Sequence, residues 1–401
     1  MLRSYSIVVS AVVTVALLAS GAPRQLSAQG TPTAQHRGSA ARRPVASPER
    51  DYLLYVVAES ADQVALVRFG PGGIRIEREQ RVGMMPTEIN GPHGIDVSPD
   101  GQFYYVSIAH GTPYGTFWKY RTTDDQPVGH TTLGLFPATV QLTPDGSLAF
   151  VANFNLHGDM VPSSVSVVST NEMVEIARIT TCTMPHGSRL SPDGTRQYSA
   201  CMMDDLLVEI DTRTLGVSRH FQLARGRERG MDGAPSASAH AGHMPGGAMP
   251  PDLVQCSPTW AQPGADGRRL YVACNKSDEI VEVDVERWAV TRRWAAGEGV
   301  YNLAVSPNGA QLVATNKRGK SISVFDLATA KEVVRLPTVK GVVHGVVVSP
   351  DNRYAFVTQE GRGSEAGILE VFDLQLLRSV ASIELGQQAA GVAFLRMEPT
   401  R

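Results

Sequence analysis

Outside Met1–Gly30 the chain has no long apolar run, which excludes an internal membrane-spanning helix. It also lacks a surplus of either charge, with 37 Lys and Arg against 39 Asp and Glu. Nucleic-acid binders carry a basic excess or patch, so no nucleic-acid partner is expected. Four signatures are missing: a GxxxxGK phosphate loop, a GxSxG nucleophile elbow, an HExxH zinc helix and a CxxCH haem site. Charged residues are only 19% and hydrophobic residues 42%, which is a globular and not a disordered composition.

The one apolar run reads as an export signal. Arg3 supplies the positive start, Ile7 to Leu18 the apolar stretch, and Leu26-Ser27-Ala28 a small-residue cleavage site. A signal peptide is therefore expected over 1–28 and a disordered leader over 29–50, rich in Ala, Pro, Ser, Arg and Gln. The mature protein is expected to be periplasmic or secreted and monomeric, with no membrane span after signal removal. Its partner is expected to be a small-molecule ligand or another exported protein.

What the chain does have is self-similarity. Turns of the Ser-Pro-Asp-Gly kind recur at Ser98–Gly101, Thr143–Gly146, Ser191–Gly194, Ser306–Gly309 and Ser349–Asn352, with a degenerate copy at Gly264–Gly267. Measured at Pro99, Pro144, Pro192, Ala265, Pro307 and Pro350, they stand 45, 48, 73, 42 and 43 residues apart. A period in the forties with strand-like contents marks a β-propeller. Each unit offers four short strands, A to D, with the turn between A and B. The long step locates an insertion at 225–251, rich in Gly, Ala, Ser and Pro and read as a lid or linker. Six units are complete. The chain starts with B, C and D strands from Leu53 and ends with a lone A-like strand at Gly391–Phe394. The two fragments complete a seventh blade, so an all-β, seven-bladed propeller over 51–397 is expected, closed by its two ends.

These repeats resemble the YVTN-type (YncE-like) propellers, also seen in surface-layer proteins. The motif copies are Phe150-Val151-Ala152-Asn153, Tyr271-Val272-Ala273-Cys274-Asn275, Val313-Ala314-Thr315-Asn316 and Phe356-Val357-Thr358. The resemblance covers about Asp51 to Met397. It implies a fold more than an activity, because the family holds binding proteins, scaffolds and enzymes. Pro92-His93-Gly94-Ile95-Asp96-Val97 also resembles part of the nitrous oxide reductase propeller. Too few repeat positions are His, and no copper domain follows, so that activity is not implied.

The position six before each turn ruler begins the innermost strand. It holds His93, Ala138, His186, Thr259, Tyr301 and His344, with Ala390 from the C-terminal strand. Equivalent positions in a ring point towards one axis, so His93, His186 and His344 are candidate ligands of a shared copper or zinc ion. The competing reading is that Pro-His-Gly is a turn preference, each His being bonded to its neighbour blade. Loops on the same face add Glu88 and His157 as candidates. The insertion adds His240, His243 and Met244, imidazole and thioether groups that suit copper. Carboxylates beside imidazoles also suit hydrolysis. Three readings stay open: a propeller that binds a small ligand, metal ion or partner protein on its loop face; a metal-assisted, lactonase-like hydrolase or copper redox protein; and a structural propeller. Cys182 and Cys201, and Cys256 and Cys274, each bracket an A–B hairpin. In an exported protein that favours two disulfides, with a thiolate metal site near His186 as the rival.

Overall fold

Five of the six repeat turns close by the same hydrogen bonds. In the first, the Ser98 hydroxyl donates to Asp100 Oδ1 and accepts from the Phe103 N–H, while the Gly101 N–H donates to Ser98 O. Asp100 Oδ1 also accepts from the Gln102 N–H at 3.0 Å. The Gly101 φ of 69° is in the left-handed region where glycine has no Cβ penalty. The same bonds recur at Thr143, Ser191, Ser306 and Ser349. Local side-chain bonds thus set the A–B hairpin of five blades.

The computed structural model describes residues 47–84, 87–110, 114–235 and 253–400. Five separate four-stranded antiparallel sheets are present, together with one nine-stranded sheet. The latter divides at a single parallel contact, Gly187 with Trp260, into two further four-stranded blades and one extra strand. Seven blades result. Their innermost strands are, in ring order, Ala389–Pro399, Pro92–Val97, Pro137–Leu142, Pro185–Leu190, Pro258–Pro263, Val300–Val305 and Val342–Val348. Blade one joins both ends of the chain, the C-terminal strand pairing antiparallel with Arg50–Ala58.

The extra strand, Arg229–Asp232, pairs with Gly216–Gln222 at the rim of blade four. It lies near the start of the insertion that the sequence suggested as a lid or linker. Residues 236–251 of that insertion, with His240, His243 and Met244, lie outside the described residues, as do the signal (1–28) and all of the leader up to residue 46.

The cores lie between blades. Tyr55, Tyr104 and Tyr120 stack across the first junction at centroid separations of 4.3 and 5.1 Å. Leu, Val and Ile of the middle strands fill the remaining junctions. Each such side chain buried stabilises by roughly 1.5–3 kcal/mol. Around the channel a second device holds the blades together. The carbonyl at the ring position of one blade accepts a side-chain bond from the blade before it. Ser107 donates to Ala138 O, Thr139 to His186 O, His186 Nδ1 to Thr259 O, Thr259 to Tyr301 O, Thr315 to His344 O and Thr358 to Ala390 O. Six of the seven junctions therefore carry this bond at the level of the candidate site.

Candidate active site at the channel mouth

The ring geometry brings three imidazoles together. His93 lies 6.0 Å from His186 and 5.4 Å from His344, centroid to centroid, and all three are buried. Alanines at two of the other ring positions, Ala138 and Ala390, leave space beside them. Above them opens a cavity of about 330 Å³, walled by Phe136, Phe154 and Met202 on one side and by Tyr301, Lys317 and Glu360 on the other.

The three histidines have different surroundings. His186 is engaged at both nitrogens. Thr259 O can only accept, so Nδ1 carries the proton (3.1 Å), and Nε2 accepts from the Tyr301 hydroxyl (3.0 Å). Burial, with the neighbouring His93 charge, lowers its pKa to about 3, so it is neutral. This is the neighbour-blade bonding weighed as the plain reading of Pro-His-Gly. His344 is also held neutral, by burial and then by Lys317, His93 and His186. Its Nδ1 is buried without a partner, and its Nε2 is 3.9 Å from Glu360 Oε1.

His93 is paired with a carboxylate. Its Nδ1 lies 2.8 Å from Glu59 Oε2, and His110 Nε2 approaches Glu59 Oε1 at 3.4 Å. Burial alone would push the Glu59 carboxyl up. The charge His93 carries when protonated and the bonds from His110 and His93 outweigh it and hold the group well below the usual carboxylate range. Glu59 is thus ionised, His93 donates through Nδ1, and its Nε2 is left buried without a partner.

Glu59 is the carboxylate beside the imidazoles, not Glu88. It is presented by the 3₁₀ turn Glu59–Ala61 between the second and third strands of blade one. Glu88 is exposed, and its recorded bond is a backbone one, Glu88 O accepting from Asn90. His157 is also exposed. Its ring packs 5.7 Å from His110 and 5.5 Å from Phe136 and does not line the cavity. Lys317, absent from the sequence candidates, is held 3.0 Å from Glu360 Oε1 with its ammonium 4.4 Å over the Tyr301 ring. Burial lowers its pKa, but the neighbouring Tyr301 and its pairing with the Glu360 carboxylate outweigh that and raise it, so it is a cation.

Cys182 is bonded to Cys201 and Cys256 to Cys274, with no free cysteine among the described residues, which removes the thiolate metal site. Among the described residues no three of His, Cys, Asp and Glu are disposed to hold a metal ion. His186 Nε2 accepts from the Tyr301 hydroxyl, and Nδ1 of His93 and of His186 is bonded to Glu59 and to Thr259 O. No described helix is long and apolar enough to cross a membrane.

The family model for the seven-bladed β-propeller lactonases matches residues 16–157. The likeness is to a lactonase-type propeller. Solved structures agree on the fold. A periplasmic gluconolactonase of Pseudomonas aeruginosa is 18% identical with a TM-score of 0.63, covering 87% of this chain and 99% of its own. A functionally unknown protein of Desulfotomaculum acetoxidans is 13% identical with a TM-score of 0.62, covering 86% and 98%. Hydrazine synthase of Kuenenia stuttgartiensis is 18% identical with a TM-score of 0.58, covering 78% and 93%. No curated protein matches.

Proposed function

We propose that the protein is an exported hydrolase of the lactonase type, opening the ring of a small lactone at the channel mouth without a metal ion. The observation that carries this reading is the Glu59–His93 pair. An ionised carboxylate fixes the tautomer of a buried imidazole at 2.8 Å and leaves the opposite nitrogen without a partner under a cavity of about 330 Å³. A lactonase family match and a gluconolactonase neighbour support the class of substrate. The two disulfides support an oxidising, extracytoplasmic compartment.

His93 Nε2 takes a proton from a water molecule as that water attacks the lactone carbonyl. Glu59 stabilises the imidazolium that forms, the role a buried carboxylate plays behind any catalytic imidazole. Negative charge develops on the carbonyl oxygen. Lys317, already charged and facing the cavity, stabilises it. When the ring C–O bond breaks, the leaving alkoxide takes the proton back from His93, and the product is a hydroxy acid. Tyr301 is not the base: burial raises its pKa, and its hydroxyl donates to His186.

Proton release from glucono-δ-lactone and from an unsubstituted γ-lactone, measured with EDTA-treated protein, tests this. We expect wild-type ring opening above the buffer rate. His93→Gln should lower kcat/KM by about 10²–10⁴-fold, the usual size of a general-base contribution. Glu59→Gln should lower kcat more than it raises KM. Saturable binding without ring opening, activity that vanishes with EDTA and returns with zinc or copper, or an active His93→Gln enzyme would each overturn the proposal.

A further inference from the structure

At the imidazole tier the channel narrows to a small chamber of about 30 Å³. Its walls include the apolar Ile95, Val140, Val346 and Val392, the imidazoles of His93, His186 and His344, and Arg189 beside Trp260. It shares those three imidazoles with the mouth, where Glu59, Tyr301 and Lys317 stand.

Arg189 is unusual among the cations of this protein. Its guanidinium has five N–H donors and makes one hydrogen bond, Nη1 to Ser188 O at 2.9 Å. It stacks 4.4 Å over the Trp260 ring. No described carboxylate lies within ion-pair distance, although most other arginines in the propeller have one. Asp96, whose charge reaches it, lines the wider vestibule below and accepts from the Val97 and Leu142 N–H groups. Burial pulls Arg189 down to about 10, so it remains charged at neutral pH. Trp260 Nε1–H, a donor only, is buried without a partner.

Arg189 is half-buried, and a charge partly withdrawn from water with spare donors is stabilised by an opposite charge beside it. An orphaned buried donor beside it points to an unseen group that accepts. The one orphaned amide in the chamber, Asn302 Oδ1, presents its NH₂ instead if turned about. A water needs roughly 10–15 Å³ of such volume, so the chamber admits a halide or about two waters, and no tetrahedral oxyanion. A water cannot offset the charge of Arg189. We propose that this chamber is a binding site for one halide-sized monovalent anion, held by Arg189 and the Trp260 N–H within the propeller axis. It does not depend on lactone hydrolysis above it.

Crystals of the full mature chain grown in sodium bromide give a direct test. The expected result is an anomalous bromide peak in the chamber, in contact with Arg189 and Trp260 Nε1. In solution, the thermal midpoint should be higher in sodium chloride than in sodium methanesulfonate of equal ionic strength, by about 2 °C. Arg189→Met should abolish that difference. Should Arg189→Met fail to fold, Trp260→Phe keeps the ring and removes the N–H, and should reduce the difference. No anomalous peak in the chamber, or a chloride effect that persists in the variants, would overturn the site.

Discussion

At the scale of single residues the channel separates three histidines into different tasks. His186 is a structural pin between blades four, five and six, through Thr259 O and the Tyr301 hydroxyl. His93 is the imidazole with a carboxylate behind it and a nitrogen free. The difference has a pH signature. The pKa of His186 falls by burial from 6.5 to about 3 on folding, so between those values the unfolded chain binds a proton that the folded one does not. Stability therefore falls as pH drops below 6.5 and stops falling near 3. For this group the loss from pH 7 to pH 5 is on the order of 2 kcal/mol. Glu59 acts in a different window: its lowered pKa contributes stability above its unfolded value and is lost only at more acid pH. Denaturant midpoints at pH 7 and pH 5 are expected to differ clearly in the wild type. They should differ less in His186→Gln, whose amide can still donate to Thr259 O and accept from Tyr301. An unchanged pH dependence in that variant would show that His186 is not the group titrating.

At the scale of strands, the recurring His-Gly and its relatives have a packing cause. A Cβ at Gly187 would stand 2.3 Å from Thr259 O and 2.5 Å from the Trp260 Cα, backbone atoms that cannot move aside. Gly94, Gly345 and Gly391 meet the carbonyls of Ala138, Ala390 and His93 in the same way. The glycine lets adjacent innermost strands approach closely enough for the ring of side-chain bonds. Gly187→Ala is therefore expected to destabilise by about 1–3 kcal/mol. Gly216→Ala, in a strand of the same blade with its nearest atom 3.9 Å away, should change little. Equal midpoints for the two variants would refute the close-packing account. The sequence carried this level well. Its turn spacing located the ring position, and so His93, His186 and His344. It did not reveal Glu59, because blade one takes its innermost strand from the other end of the chain and has no turn motif to number from. Lys317 follows an ordinary motif copy, and Arg189 and Trp260 look like any strand residues. Which way a side chain faces in a packed ring is set by blade contacts and not by local pattern.

At the scale of the whole molecule, everything at the mouth depends on a ring closed by the first and last strands. Blade one unites strands from both ends of the chain, with Arg50 opposite Pro399 and Ala58 opposite Ala389. Arg68 reinforces the join, 2.9 Å from Asp51 on one end and 3.1 Å from Glu398 on the other. Without the last strand, Arg50–Ala58 would present an unpaired apolar edge, the kind that pairs with other copies. It would also remove Ala390 and Gly391 from the channel wall, next to His93. A chain ending at Gln388 is accordingly expected to aggregate. What matters is closure and not the position of the chain ends, and a circular permutant separates the two. Thr400 donates to Glu49 O at 2.9 Å, so a few glycines and serines suffice to join residue 400 to residue 47. New ends can be opened in the exposed turn at Pro71 and Gly72, between Gln63–Gly70 and Gly73–Arg81. The permutant keeps every blade-one pairing but makes the inner pair covalent and the outer pair the closure. It should run as a monomer on size exclusion, with a thermal midpoint close to that of the uncut protein and the same lactone activity. A permutant that aggregates like the truncated chain would mean that the order of strand synthesis, and not ring closure, governs assembly.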